Sequence, residues 1–191
     1  MRRFTAERTA ATADELWLLE HDPIYTLGQT GRTEHLLEEH GIPLVQTERG
    51  GQITYHGPGQ VIVYTLIDLK RADIKVRDFV TLLESAVIAT LATYTIEACR
   101  KPGAPGVYIC ADEGLVKIAA LGLKVTRGCC FHGVSLNVAM DLKPFGWIDP
   151  CGFPGLRCTD MASLGVRAKP DDVALRLARA LIDHMAIKEL R

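Results

Sequence analysis

V-Y-I-C-A-D-E-G-L-V-K-I-A-A-L-G-L-K-V-T-R-G-C-C-F-H-G-V-S-L-N-V, from Val107 to Val138, consists of apolar runs divided by two polar turns. The runs are Val107 to Cys110, Leu115 to Val125 and Phe131 to Val138. Asp112-Glu113-Gly114 and Thr126-Arg127-Gly128 separate them. Short turns that end in glycine between such runs predict antiparallel hairpins. Upstream, Val61 to Leu69 is a continuous, β-branched-rich run, the pattern of a strand buried on both faces. Between them, Phe79, Leu82, Leu83, Ala86, Val87, Thr90 and Leu91 recur at helical spacing and predict a helix over about Arg77 to Tyr94 that covers the sheet. Pro170 and Asp171 open a last helix carrying Val173, Leu177, Leu181 and Met185. The expected class is α/β of the α+β kind, a mixed, largely antiparallel sheet with flanking helices in a single domain over residues 1–191.

Nearer the N-terminus, Phe4 to Arg8 reads as a helix fragment, so the chain is expected to start in the middle of an element. Glu15 to Leu19 and Ile24 to Leu27 read as strands around the Asp22-Pro23 turn. Thr33 caps a predicted short helix through His40, with Gly41 and Pro43 as its stop, and Leu44 to Thr47 follows as a strand. Lys101 to Gly106, and Asp141 to Leu156 with its prolines and glycines, read as loop.

At 191 residues and 48% apolar, the chain can bury a core without metal or disulfides. Its 22 basic and 23 acidic residues are spread along the sequence, which argues against a nucleic-acid footprint. The N-terminus has no secretory signal pattern and no apolar run approaches the ~20 residues that span a bilayer, so a cytoplasmic protein without membrane attachment is expected. In that setting Cys99, Cys110, Cys129, Cys130, Cys151 and Cys158 should be reduced thiols. No Cys-x-x-Cys spacing occurs and Cys129-Cys130-Phe131-His132 has no second ligand pair, so no metal is expected. Balanced charge and the lack of heptads favour a monomer.

Special residues concentrate in R-G-G-Q-I-T-Y-H-G-P-G-Q, Arg49 to Gln60. Four glycines and Pro58 specify one tight backbone shape, and Arg49, Gln52, Tyr55 and His56 set charge, amide, phenol and imidazole beside it. A substrate loop and a structural hairpin fit this stretch equally well.

Cys151 lies in Asp149-Pro150-Cys151-Gly152, a bend that exposes a thiol on a loop. A nucleophilic cysteine needs a nearby cation or base, because at a pKa of ~8.5 only a few per cent is thiolate at neutral pH. Lys117, Arg49, His56 and His132 are the candidates. Strand alternation by itself reads Lys117 as exposed. Cys99, Cys110, Cys129 and Cys130 read as small core residues, while Cys158 is undecided. His21, His35, His40 and His184 read as surface or cap residues, and His132 fits a hydrogen-bonding role and a site role equally.

Taken together, the Arg49 to Gln60 stretch, A-P-G-V-Y (Ala104 to Tyr108), K-I-A-A-L-G (Lys117 to Gly122), F-H-G-V-S-L-N-V (Phe131 to Val138) and D-P-C-G (Asp149 to Gly152) resemble the bacterial lipoate-pathway octanoyltransferases, the lipoate-protein ligase B type. Five motifs occur in register from about Glu15 to Leu164. The resemblance implies a lipoate/biotin protein ligase-like domain. It also implies transfer of an octanoyl or lipoyl group from acyl carrier protein, through a cysteine thioester, to a lysine of lipoyl domains, an early step of protein lipoylation. The implied acceptors are the lipoyl domains of 2-oxoacid dehydrogenase complexes and the glycine cleavage H protein. Carried over by position, Cys151 is the nucleophile and Lys117 lowers its pKa and moves protons. Substrate contacts fall on Arg49, Gly50, Gly51, Gln52, Ile53, Thr54, Tyr55 and His56, on Ala120, Leu121 and Gly122, and on Gly133, Val134 and Ser135, with His132 in support. Neither ATP nor metal is implied, in keeping with the lack of a phosphate-binding glycine signature. One departure is the strand that usually precedes the family's first helix, which is missing here.

Two other classes compete. An ATP-dependent lipoate or biotin ligase would activate a free acid and would not require Cys151. A non-catalytic binder of acylated carrier or lipoyl domains would need neither Cys151 nor Lys117.

Overall fold

The computed structural model describes residues 1–150 and 155–189; Cys151 and Gly152 of the predicted bend lie outside the described residues. In chain order the elements are α1 (Arg2–Glu7), β1 (Glu15–Leu19), β2 (Ile24–Leu27), β3 (Leu44–Gln46), β4 (Ile53–His56), β5 (Gln60–Asp68), α2 (Val76–Ala92), β6 (Cys99–Lys101), β7 (Ala104–Ala111), β8 (Gly114–Thr126), β9 (Cys129–Asn137) and α3 (Pro170–Glu189). Short 3-10 turns occupy Thr33–His35 and Lys143–Trp147.

The predicted hairpins form the middle of a six-stranded sheet ordered β1-β5-β9-β8-β7-β6, antiparallel at every pairing. A three-stranded sheet, β3-β2-β4, pairs β2 with β3 in parallel and with β4 antiparallel. The chain passes from one sheet to the other at Gly57-Pro58-Gly59. Gly59 has φ +84°, and a Cβ there would stand 1.9 Å from the Ala139 carbonyl oxygen, so both backbone conformation and space call for glycine.

Strand alternation divides β5 between two environments. Val61 and Val63 enter the main core with Val134 and Leu136 of β9 and with helices α2 and α3. Gln60, Ile62 and Tyr64 are set on the opposite side by the period of two. The α2 residues singled out by helical spacing are all buried, and each Leu or Phe among them contributes about 1.5–3 kcal/mol by leaving water. On α3, Val173, Leu177 and Leu181 are buried, and Met185 packs partly buried against the same core. A second core of Tyr25, Leu27, Ile53, Tyr55, Phe145 and Ile148 underlies the small sheet.

The helix expected through His40 stops at His35. Leu36 bridges Ile148, the Leu37 amide donates to the Trp147 carbonyl at 2.9 Å, and the His40 ring stacks on Trp147 at 3.7 Å. These tertiary contacts hold the segment extended and override its local helical signal. Thr33 makes no side-chain cap; Arg32 is the capping position. A third of the predicted Arg49 to Gln60 loop is strand β4, and Gln60 opens β5. Of the four cysteines read as core, Cys130 is buried, Cys99 and Cys129 are half-buried and Cys110 is exposed. Among the described residues no helix is long and apolar enough to cross a membrane.

Candidate active site

Between the two sheets lies a cleft with about 640 Å³ of empty space, including its open mouth. Its floor is the side of β5, β9 and β8 that faces away from the helices. Ile62 and Tyr64 line it beside Ala120, Gly122, Gly133 and Ser135. Four small residues on adjacent strands leave room above the sheet. The register aligns them: Ile62 opposes Ser135, Ser135 opposes Ala120, and Gly133 stands between Tyr64 and Gly122.

The glycine-rich stretch forms the other wall. Arg49, Gly51, Gln52, Ile53, Thr54 and His56 line the cleft, as do Leu121, His132 and Val134 from the large sheet. Gly50 and Tyr55 lie outside this lining. The Gly50 amide donates to the Leu123 carbonyl at 2.8 Å, tying the loop to β8, and Tyr55 packs against Tyr25 and Phe145 in the second core. Arg49 is 8% exposed, and its guanidinium donates to the carbonyls of Thr26 (2.6 Å), Gln52 (2.9 Å) and Gly50 (3.0 Å) and to Thr26 Oγ1 (2.8 Å). A planar fork with several donors suits this gathering of backbone acceptors, which a lysine could not reproduce. Arg49 thus shapes the loop. The stretch that builds this loop and strand β4 also lines the cleft.

Lys117 is 4% exposed, against the surface position that strand alternation suggested. The cause is a β-bulge: Val107 opposes Ala119 while its neighbour Tyr108 opposes Lys117, leaving one extra residue in β8. The bulge breaks the period of two and makes Lys117, Ile118 and Ala119 consecutively buried. Lys117 Nζ donates to the Pro105 carbonyl at 3.1 Å and stands 5.5 Å from the centre of the Tyr108 ring. On the other side, the Lys117 amide donates to the Arg157 carbonyl and the Thr159 amide donates to the Lys117 carbonyl, both at 2.9 Å. Lys117, Pro150 and Cys158 line a smaller chamber with about 270 Å³ of empty space, its open side included. Thr54, Ala120 and Ser135 line both this chamber and the cleft, so the two adjoin.

A polar chain links the parts. His56 Nδ1 and Gln60 Oε1 are 2.7 Å apart, Gln60 Nε2 donates to Asn137 Oδ1 at 2.8 Å, and Asn137 Nδ2 donates to the Thr159 carbonyl at 2.9 Å. Burial pushes the His56 pKa down to about 4, opposed by its bond to Gln60 and assisted by the Arg49 charge. Burial likewise lowers His132 to about 4, with Glu48 acting against it and Arg49 with it. Both imidazoles are neutral at pH 7 and add no charge beside the Arg49 guanidinium in the cleft wall. His132 has φ +64°, and β5–β9 pairing is interrupted beside it, where Thr65 Oγ1 donates to the His132 carbonyl at 3.1 Å. Left-handed backbone at a residue other than glycine costs of order 1 kcal/mol or more and concentrates at functional sites. His132 Nε2 and Gln52 Oε1 are buried without a hydrogen-bond partner among the described residues.

Sequence reasoning did not single out His21, Tyr64, Glu84 or Asn137. His21, read as a surface residue, is half-buried with Nε2 2.6 Å from the Tyr64 hydroxyl. Glu84 is buried on α2; it accepts the Gly106 amide at 3.0 Å and pairs with Arg100 at 3.0 Å. Alternation along Gln60, Ile62 and Tyr64 was the available signal for the floor. Nothing local marked Glu84, whose partners are distant in sequence.

The fold and site have counterparts among known proteins. Residues 1–182 match the lipoyl protein ligase A/B catalytic domain family. A lipoate protein ligase from Thermoplasma acidophilum superposes with a TM-score of 0.77 at 17% identity, over 97% of this chain and 76% of that one. The biotin protein ligase of Aquifex aeolicus gives 0.55 at 16% identity, over 86% and 70%. These two share the fold. Among sequence relatives, the octanoyltransferase of Paraburkholderia phytofirmans is 59% identical over 97% of this chain and 79% of its own length. That of Bordetella petrii is 57% identical over 97% and 88%. The chain belongs to the lipoyl protein ligase A/B catalytic domain family, within its octanoyltransferases.

Proposed function

We propose that this chain moves an octanoyl group from acyl carrier protein to a lysine of lipoyl domains through a thioester on Cys151. The observation that carries the reading is the burial of Lys117 in a chamber shared with Pro150 and adjoining an apolar cleft. Pro150 directly precedes Cys151 in sequence. The names of the octanoyltransferase relatives support the acyl group.

In the first step the Cys151 thiolate attacks the carrier thioester; the new C–S bond forms, the old one breaks, and the carrier thiolate leaves as a thiol with the proton of the Lys117 ammonium, which becomes the neutral amine. Lys117 as an ammonium stabilises the thiolate. In the second step the acceptor amine attacks the acyl-enzyme, an amide forms and the Cys151 thiolate departs. A free lysine is neutral at pH 7 only about once in a few thousand molecules, a handicap of roughly 4.6 kcal/mol. Lys117 as a neutral amine takes the proton released as the amide forms. Thioester exchange is nearly balanced and amide formation is downhill, so the sequence needs no ATP. The acceptor proteins in this reading are the lipoyl domains of 2-oxoacid dehydrogenase complexes and the glycine cleavage H protein, and the reaction would take place in the cytoplasm. Among the described residues, no group of three or more His, Cys, Asp or Glu side chains is arranged to hold a metal ion.

Intact-protein mass spectrometry after mixing with octanoyl-acyl carrier protein, without ATP, tests the reading. The parent and Cys158→Ala gain one octanoyl group, and Cys151→Ala gains none. An adduct on Cys151→Ala that disappears in Cys158→Ala would move the nucleophile. A requirement for ATP would replace the thioester route with adenylation.

A further inference from the structure

We infer that Tyr64, braced by His21, sets the length of acyl chain this enzyme accepts. The inference rests on the acyl-transfer reading above and adds the residue that limits the substrate. The head of the cleft is fixed by the Lys117 chamber, which Gln60 and Asn137 line as a directly opposed pair. From there the floor follows β5 and β9. Ile62 opposes Ser135, and two residues further on Tyr64 opposes Gly133. Gln60 to Tyr64 is four residues of strand, ~13 Å at the usual rise, while an extended eight-carbon acyl chain covers about three residues, ~10 Å. A chain whose carbonyl lies between the Asn137 and Ser135 levels therefore brings its last carbon to Tyr64.

At that level Tyr64 is in register with Gly133 and Gly122, so its ring stands beside the space these two glycines leave. Its hydroxyl lies 2.6 Å from His21 Nε2, and the His21 ring in turn sits 5.8 Å from that of His56. This clamp discourages the phenol from swinging aside for a longer tail. Beyond it the regular β5–β9 pairing is interrupted, and the His132 ring stands edge-on to Tyr64 at 6.0 Å.

The test measures the dodecanoyl-to-octanoyl ratio in competition, by intact-mass detection of loading from the two acyl carrier proteins and by equilibrium binding of free dodecanoic and octanoic acids. Tyr64→Ala should raise both ratios at least tenfold over the parent. Tyr64→Trp should act in the opposite direction and raise hexanoyl over octanoyl at least fivefold. If Tyr64→Ala does not fold, Tyr64→Trp decides. Ratios within twofold of the parent in a folded variant would overturn the length limit. Free-acid binding needs no thioester chemistry, so a parent that loads nothing, with the free-acid binding ratio still shifted in Tyr64→Ala, would count against the transfer reading and leave the length limit supported.

Discussion

Lys117 Nζ is held 3.1 Å from the Pro105 carbonyl, and the amide that follows that carbonyl, on Gly106, is held by the Glu84 carboxylate at 3.0 Å. A helix residue in the main core thus orients the peptide that receives the buried ammonium. Glu84 and Lys117 act through one peptide unit.

Glu84→Leu removes the acceptor of the Gly106 amide and frees the Pro105–Gly106 peptide to rotate. Small displacements at a reacting group are costly in rate, so octanoyl loading should slow by about tenfold or more. Glu84→Gln retains an acceptor for that amide and should recover most of the rate. The pH profile of loading distinguishes positioning of Lys117 from general loosening: the profile moves in Glu84→Leu and stays put in a variant destabilised elsewhere, such as Leu177→Ala.

Lys117→Met fills similar space with an uncharged side chain and should fold. Loss of a proton-handling group typically slows a reaction by about 10²–10⁴-fold. Single-turnover acylation and transfer, followed by quenched-flow mass spectrometry, should both fall in that range. Unchanged rates in both steps would eliminate Lys117 from the chemistry.

Gly133 has no space for a Cβ, which would stand 2.1 Å from the Val63 carbonyl oxygen. Gly133→Ala must push β5 and β9 apart beneath the cleft, and it should destabilise the protein by about 1–3 kcal/mol. Gly146, where a Cβ would meet nothing within 4 Å, is the control: Gly146→Ala should lie within about 0.5 kcal/mol of the parent. Urea denaturation midpoints measure both.

Stability should fall on acidification before most carboxylates titrate. His56 and His132 are neutral in the folded protein down to about pH 4, because burial lowers them, whereas in the unfolded chain they take up protons near the ordinary value of about 6.5. Below that value the unfolded state binds more protons, so each histidine removes up to about 1.4 kcal/mol per pH unit between about 6.5 and 4 and nothing further below. His21, also lowered by burial, adds in the same direction. Urea midpoints at pH 7.5, 6 and 5 measure the slope, and His132→Gln should reduce it.

Gln60 ties His56, Asn137 and the Tyr55 carbonyl together. Gln60→Leu strands buried polar atoms that cannot reach water, at about 1–3 kcal/mol. A double-mutant cycle with Asn137→Leu should show coupling, since each change alone leaves the other amide short of a partner.

Much of the fold was legible because its signals are local. Period and punctuation located the hairpins, the two strands β1 and β2, helix α2 and the start of α3, since burying one face of a strand or helix imposes a period that survives in one dimension. The Thr33 to His40 segment failed because its cap was outweighed by contacts with Trp147 and Ile148, more than a hundred residues away. Residue chemistry and motif order brought forward Arg49, His56, Lys117 and the Gly133 region. Their arrangement depended on an extra residue in β8, a left-handed His132 and the antiparallel register of β5 with β9, all of them relations between segments. The amino-acid sequence by itself determined the class of fold and the family, because periodicity and ordered motifs are properties of neighbours along the chain. Only the tertiary structure decided that Lys117 is buried, that Arg49 spends its donors on the loop, and that Tyr64 lines the cleft floor, because burial and distance depend on which strands meet and in what register.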